Sequence, residues 1–325
     1  AVGTADAPVV FTPSADGELV RGMWGRLIIN GKAHLNKEGG VAEGEGNTGE
    51  YGGGANPDNA DSSGTLKYVV VEYAGKLITT EDELNGIAFQ AVGSGTTVDY
   101  VQVHMNQDDG MEFFGGTVNA KHIVLSGIGD DSIDWTSGYT GKIQYAIVHQ
   151  YGDNADRGIE ADNDKNNNDI EPRSEPMISN LTIVGCGADC QEGVGSHGIL
   201  LRRGTGLKLY NSIVSSAADA CVDLDDDGTY TYAQTGATVM DGVHLFGCNN
   251  GSFDADEEDT ILPAWFEGFT GSTTDVDPQL TGWVPAAGSP ALSTWQAPGD
   301  AFFEDAGFAG AVGTTDWAAG WTSAE

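Results

Sequence analysis

A short repeat between Val98 and Glu160 constrains the fold of this chain more than any other feature. Its three copies read VDYVQVHMNQDDGMEFFGG, AKHIVLSGIGDDSIDWTSG and IQYAIVHQYGDNADRGIEA. Each copy begins with a strand in which apolar residues alternate with polar ones, and each continues into a turn with clustered acids. Similar strand patterns, such as RLIING, LKYVVVEYAG and LYNSIVSSA, occur before and after these copies.

A period of roughly 22 residues with several short strands predicts a solenoid. A β-propeller needs roughly twice the period, and a β-sandwich gives no residue-for-residue recurrence. The sequence therefore predicts an all-β protein, a right-handed parallel β-helix, in which equivalent residues of successive turns stack about 4.8 Å apart.

The whole chain, residues 1–325, is predicted to be a single β-helix domain. Residues 37–64 are rich in glycine and acids and are predicted to leave the coil as a long loop. Shorter excursions are expected at 162–176 and 223–236. Residues 263–325 lose the repeat and carry several aromatic side chains, which suits a C-terminal cap over the last turn.

The composition narrows the classes of partner. The formal net charge is −35 with only 14 basic residues, yet 39% of the chain is hydrophobic, which suffices for a core. Such a charge repels nucleic acid and anionic membranes, and it favours divalent cations, a salty environment or a basic partner. No apolar run reaches the about 18 residues of a membrane span.

Four cysteines occur, at positions 186, 190, 221 and 248. None belongs to a CxxC pair, and no histidine follows at zinc-finger spacing, so a zinc finger is not predicted. An even count in an exported chain favours two disulfides, and the favoured pairing is Cys186–Cys190 with Cys221–Cys248. The other connectivities and free thiols stay open.

Several blocks resemble a group of exported bacterial proteins that includes lipoproteins and surface proteins. The blocks are GTADAPVVFT, WGRLIINGKA, SGTLKYVVVEYAG, DDGMEFFGGTVNAKHIV, DDSIDW and AAGSPAL, with DWAAGWT near the end. The resemblance implies a pectate-lyase-like right-handed β-helix that is secreted or lies on the cell surface. The resemblance does not imply any particular reaction. Relatives of this kind carry further turns before GTADAP, so a bare first turn that stacks on another copy is a further expectation.

The acids of the repeat predict a calcium site. Stacked carboxylates repel by roughly 3–4 kcal/mol per pair at an effective dielectric constant of about 20, and many oxygen ligands suit Ca²⁺. In one column Asp108 recurs as Asp130 and then as Asp153, at nearly equal intervals. The candidate ligands are Asp108, Asp109, Glu112, Asp130, Asp131, Asp134, Asp153 and Asp156.

Three loops extend this prediction. Asp223, Asp225 and Asp227 match the D-x-D-x-D-G opening of a calcium loop, but position twelve is Gln234 and not the glutamate of an EF-hand. Asp162 and Asp164 begin a similar segment. A weaker one contains Asp254, Asp256 and Glu258. The alternative is that these acids are solvated turn residues.

An enzyme is the rival interpretation, because polysaccharide-cleaving enzymes use this coil. The candidate catalytic residues would be Asp130, Asp131, His197, Arg202 and Arg203. Asp131 and His197 are expected about three turns apart, ~14 Å along the axis, which exceeds the ~5–10 Å required at one glycosidic bond. Only one of the adjacent arginines is expected to face a groove. His104, His122 and His149 do not form a regular metal ladder.

The sequence therefore favours a non-catalytic extracellular protein that binds calcium and presents loops to a glycan or protein partner. The alternatives are a calcium-dependent polysaccharide lyase or glycoside hydrolase, and a filament that grows by end-to-end stacking of turns.

Overall fold

A computed structural model describes residues 1–14, 16–77, 84–254 and 261–323. Its strands are β1 (Val9–Phe11), β2 (Leu27–Asn30), β3 (Ala42–Glu43), β4 (Glu50–Tyr51), β5 (Thr65–Glu72), β6 (Ile87–Gln90), β7 (Thr97–His104), β8 (Met111–Phe114), β9 (Asn119–Ser126), β10 (Ile133–Thr136), β11 (Lys142–His149), β12 (Ile159–Ala161), β13 (Met177–Val184), β14 (Ile199–Leu201), β15 (Leu207–Tyr210), β16 (Ile213–Ser215), β17 (Val222–Leu224), β18 (Thr238–Asp241), β19 (His244–Phe246), β20 (Thr273–Thr274), β21 (Leu280–Thr281) and β22 (Val284–Pro285). The helices are α1 (Asp227–Tyr232) and α2 (Leu262–Phe266), with 3₁₀ turns at Glu38–Gly40, Glu45–Asn47, Gly187–Asp189 and Pro290–Ser293 and a π turn at Ala233–Ala237.

Two parallel sheets run the length of the molecule. The first has eleven strands and contains β5, β7, β9, β11 and β13 in that order, and the second has seven, from β2 through β8, β10 and β12 to β17. Because each turn of the chain adds strands to both sheets, the chain winds as a parallel β-helix. The predicted all-β fold class is confirmed.

The register of the seven-stranded sheet corrects the third copy of the repeat. Met111 pairs with Ile133 and Ile133 pairs with Ile159, so the second interval is longer than the first. Most of the extra residues lie in the corner between β11 and β12, where Tyr151 and Asn154 form an isolated bridge. The alignment of Asp153 with Asp130, and of Asp156 with Asp134, is therefore wrong.

The long strands of the eleven-stranded sheet each bend at one residue with left-handed backbone geometry. Tyr100, His122 and Tyr145 have φ of 56°, 51° and 63° and follow one another in adjacent strands. Their rings stack, with centroids 4.2 Å and 4.9 Å apart. The bend divides each eight-residue strand into two faces of the coil, and ring stacking offsets the cost of an unfavourable φ.

The core lies inside the coil and is built from columns of identical or similar side chains. Phe89, Phe113 and Tyr139 stack face to face with centroids 5.1 Å and 4.5 Å apart, and none is exposed to solvent. Trp135 is also fully buried, and its indole N–H donates to Thr205 Oγ1 at 3.0 Å. Apolar stacking along the axis thus holds the turns together.

The excursion at residues 37–64 contains regular structure that the sequence pattern did not predict. Its β3 and β4 form an antiparallel hairpin. Tyr51 of that hairpin packs with Leu35 and Phe114 on the outer side of the seven-stranded sheet. The glycine-rich segment therefore covers part of the coil.

The segment at residues 263–325, predicted as a cap, divides into two parts. In the first, α2 buries Leu262 and Phe266 against the end of the core, which is where a cap belongs. In the second, the chain turns back along the outer face of the eleven-stranded sheet, where Trp321 packs with Val124 and Ile147. Most of the described segment thus covers a side of the coil.

Both predicted disulfides are present, Cys186–Cys190 and Cys221–Cys248. Among the residues that the structure describes, no helix has the length and apolar character that crossing a membrane requires.

Candidate functional site

Acidic side chains collect on the outer side of the seven-stranded sheet because its strands alternate. In β8 and β10, Met111, Phe113, Ile133 and Trp135 are fully buried in the core. The residues between them face outward, and the register stacks Glu112, Asp134 and Glu160 on consecutive strands. Glu160, and not Asp156, is therefore the third member of this column.

The corner before these strands contributes a further column. The Asp156 N–H donates to the Asp130 carbonyl at 3.1 Å, which stacks Asp156 on Asp130, with Asp108 one turn earlier. Asp153 lies elsewhere, with its carboxylate bound by both Nη atoms of Arg21 at 2.7 Å and 3.0 Å. Asp153 is thus removed from the candidate ligands.

Six of the predicted ligands form one continuous cluster, which we call the acidic row. Its members are Asp108, Asp109, Asp130, Asp131, Asp134 and Asp156. They fall into three overlapping groups of three, and within each group the carboxylate oxygens lie within 4.8 Å of one another. Oxygen atoms that bind one Ca²⁺ at about 2.4 Å can be no more than about 4.8 Å apart, so these groups fit the ion.

Burial makes this cluster electrostatically costly. Asp109 and Asp131 are 8% and 4% exposed. Loss of hydration, followed by repulsion from neighbouring carboxylates such as Asp134 and Asp108, raises the pKa of Asp109 well above its usual value. The pKa values of Asp131 and Asp134 are raised in the same way, first by burial and then by repulsion from Glu160 and Glu112 respectively.

Two arginines lie at one end of the acidic row. Arg202 was predicted only as a catalytic residue of the enzyme alternative, and Arg157 was missed as a site residue. Arg157 Nη1 lies 2.6 Å from Asp156, 2.8 Å from Glu160 and 3.8 Å from Asp131. Arg202 pairs with Glu160 and with Asp162, the latter at 2.7 Å. Arg157 occupies the position of Asp131 one turn later, and only the correct register of that turn would have revealed this.

The loop that begins at Asp162 holds its acids with protein cations. Asp162 accepts from Arg202 and Arg203, and Asp164 accepts from Lys37 Nζ at 2.5 Å. Asp164 also accepts the backbone N–H groups of residues 166 and 167. The two carboxylates are thus engaged in separate ion pairs, which does not support the predicted calcium loop.

The D-x-D-x-D-G segment is a strand end followed by a helix cap. Asp223 is buried in β17, whereas Asp225 and Asp227 are exposed. Asp226 accepts from the Thr229 N–H at 2.7 Å and caps α1. The three aspartates of the pattern therefore do not converge, which corrects the predicted geometry.

A second cluster surrounds His197. Its Nε2 lies 2.8 Å from Asp254, 3.8 Å from Asp223 and 3.9 Å from Asp219. The ligand atoms of His197, Asp223 and Asp254 lie within 4.8 Å of one another. Asp256 and Glu258, the other acids of the weaker predicted loop, fall outside the described residues.

The predicted catalytic set is arranged differently from expectation. The register from Ile133 through Ile159 to Ile199 places Asp131 and His197 two turns apart, not three. This corresponds to ~10 Å along the axis. Arg202 and Arg203 both contact Asp162, so their side chains meet at one carboxylate although they are adjacent in sequence.

These features define a parallel β-helix with a partly buried acidic row on the outer side of one sheet. The family model described as pectate-lyase like beta helix domain matches residues 1–322, and the chain belongs to that family. No curated protein matches the chain. No solved structure matches it either.

Proposed function

We propose that this protein is a non-catalytic extracellular β-helix whose coil is stabilised by calcium bound in the acidic row. The observation that carries the proposal is the convergence of six carboxylates, several of them buried, into three overlapping groups of ligand size. Bound Ca²⁺ would replace the lost hydration of Asp109, Asp131 and Asp134 and offset their mutual repulsion. Because these residues come from different turns, the ion would link the turns along the axis.

An extracellular location is supported by other features of the chain. Two disulfides persist in oxidising compartments, and a net charge of −35 suits a calcium-containing medium.

The excursions at 37–64 and 162–176 lie against each other through Lys37 and Asp164. We propose that this joined loop surface faces a glycan or protein partner. Stacking of end turns between copies stays a prediction.

Thermal unfolding tests the calcium proposal. At a calcium concentration about 100-fold above Kd, the wild type should gain about 2.7 kcal/mol relative to protein in EGTA. Asp131→Asn should lose most of this gain, because Asp131 belongs to two of the three ligand groups. Asp6→Asn, which changes an exposed acid far from the row, should retain it. Equal unfolding temperatures with calcium and with EGTA would contradict the proposal that calcium stabilises the coil.

A second candidate, polysaccharide cleavage, is favoured by one observation. Asp131, Arg157 and His197 occupy equivalent positions on consecutive turns, so a carboxyl, a guanidinium and an imidazole line one side of the sheet. A screen of acidic and neutral polysaccharides for new reducing ends or unsaturated uronates separates the two functions. Product formation that is lost in His197→Ala would replace the non-catalytic proposal.

A further inference from the structure

The cluster around His197 lies outside the acidic row and is built by different turns. In the columns of the seven-stranded sheet, His197 follows Asp131 and Arg157. Asp223 belongs to β17, on the next turn, and Asp254 follows the bridge between Val222 and Phe253 on the turn after that. Three successive turns thus bring one imidazole and two carboxylates together, with Asp219 at their edge.

We propose that His197, Asp223 and Asp254 form a second metal site, specific for a transition-metal ion such as Zn²⁺ and separate from the calcium site. The imidazole nitrogen distinguishes the two sites, because Ca²⁺ takes oxygen ligands and imidazole suits Zn²⁺ and its neighbours. Asp219 is a further oxygen near the same nitrogen.

The orientation of the ring supports this assignment. Ser196 Oγ lies 3.1 Å from His197 Nδ1, so Nε2 points at the carboxylates. Metal-binding histidines are commonly held in this way, with the second ring nitrogen donating to a nearby oxygen. When Nδ1 donates its proton to Ser196, Nε2 presents a lone pair to three carboxylates, and a cation among them makes that arrangement favourable.

A simple ion pair brings His197 within hydrogen-bond distance of only one of the three carboxylates. One proton on Nε2 satisfies one carboxylate, and Asp254 at 2.8 Å is that partner. Asp223 and Asp219 lie 3.8 Å and 3.9 Å from the same atom. A protonated His197 with three ionised aspartates keeps a net charge of −2, whereas a divalent ion that replaces the Nε2 proton reduces the net charge to −1.

Neighbouring residues hold the His197 cluster in place and separate it from the acidic row. The Cys221–Cys248 disulfide joins the turn that carries Asp219 and Asp223 to the segment that leads to Asp254. On the other side, Arg157 occupies the turn between Asp131 and His197 and pairs with Asp156 and Glu160. Its guanidinium group disfavours a cation at that turn, so the two sites are expected to fill independently.

Calorimetric titration of the metal-free full chain with Zn²⁺, in the presence of saturating Ca²⁺, tests the proposal. The wild type should show one Zn²⁺ site per chain. His197→Asn and Asp254→Asn should each weaken Zn²⁺ binding at least about tenfold, because loss of even a group that only orients a metal ligand costs about 10–100-fold. His34→Asn is the matched control, since the ring of His34 hydrogen bonds to neutral groups, those of Asn59, Gly138 and Thr140, and its loss should leave Zn²⁺ binding unchanged.

A second variant separates this proposal from the calcium site. Asp131→Asn should retain Zn²⁺ binding while it loses the calcium effect on unfolding. Retained Zn²⁺ affinity in His197→Asn would overturn the zinc site and leave the calcium proposal intact. Loss of Zn²⁺ binding in Asp131→Asn as well would show a single shared site and also overturn the separation.

Protection of His197 from chemical modification by bound Zn²⁺ can be measured on the wild type, so it tests the proposal even if a variant fails to fold. Diethyl pyrocarbonate modifies accessible imidazole nitrogens, and peptide mass spectrometry reports each histidine separately. Zn²⁺ should slow modification of His197 at least about tenfold and leave the rate at His34 unchanged. Equal rates at His197 with and without Zn²⁺ would overturn the proposal.

Discussion

At the scale of single residues, the coil makes neighbours of side chains that are far apart in sequence. Asp134 lies between Glu112 and Glu160 in one column, and burial followed by repulsion from these two acids raises its pKa. An aspartate in a surface turn would have water instead of carboxylates around it. The energetic consequence of each acid is therefore set by the turns above and below.

Replacing Asp134 by a neutral residue should change the free energy of unfolding in opposite directions with and without calcium. In EGTA at neutral pH, Asp134→Asn should raise the free energy of unfolding by about 1–3 kcal/mol, because it removes repulsion from Glu112 and Glu160. In saturating calcium it should lower the stability, because a ligand is lost. Urea unfolding in both buffers measures the two values, with Asp6→Asn as control. A loss of stability in EGTA would contradict the repulsion argument.

The environment of Asp99 predicts that the fold loses stability as the pH falls. Burial acts to raise its pKa, but hydrogen bonds from His122 and Lys67, at 2.9 Å each, outweigh burial and lower the pKa below 3.8. The ionised carboxylate therefore stabilises the fold above pH 3.8, and this contribution disappears as the pH falls through the lower folded value.

Asp99→Asn should lower the free energy of unfolding by about 1 kcal/mol at pH 6, the usual contribution of such hydrogen bonds. The difference between variant and wild type should shrink below pH 3.8. Urea midpoints measured from pH 6 to pH 2.5 test this. A difference that stays constant over the whole range would contradict the assigned role of the charge.

At the scale of elements, the alternation of apolar and polar residues predicts strands and their buried side well. It places Val101, Val103, Ile123 and Leu125 inward, and all four are fully buried. The acidic columns of the first two copies are also predicted correctly, since β8 and β10 pair at the interval of the repeat. The third copy fails because residues added at the corner change the register without disturbing the strand pattern. Asp156 and Glu160 therefore take the places predicted for Asp153 and Asp156.

The stacked rings of Phe89, Phe113 and Tyr139 should make the middle turns the most sensitive to truncation. Phe113→Ala removes the central ring of a solvent-free column and should cost about 3–5 kcal/mol. Val20→Ala is the control, because Val20 is 52% exposed and a surface substitution changes stability by less than about 0.5 kcal/mol. Equal unfolding midpoints for the two variants in urea would contradict this packing argument.

At the scale of the whole molecule, contacts between distant segments hold the coil from outside. The returning C-terminal chain binds successive turns through Asn211, Asn180, Gln144 and Gln102, each of which hydrogen bonds to its backbone. The sequence did not predict this path, because the segment has no repeat and its tryptophans suit any apolar surface. The asparagine or glutamine in each of β7, β11 and β13, together with Asn211 between β15 and β16, was the available signal.

The two disulfides should contribute unequally to global stability, because they close chain segments of different length. Cys221–Cys248 spans 27 residues and Cys186–Cys190 spans 4. Loop-closure entropy predicts losses of about 3.5 and about 2 kcal/mol when each pair is replaced by alanine. Because the longer bridge also holds Asp223 near Asp254, only its removal should weaken Zn²⁺ binding to His197. Urea unfolding and zinc titration of both double variants test these effects. Equal zinc affinity in the two variants would show that the Cys221–Cys248 disulfide does not support the metal site.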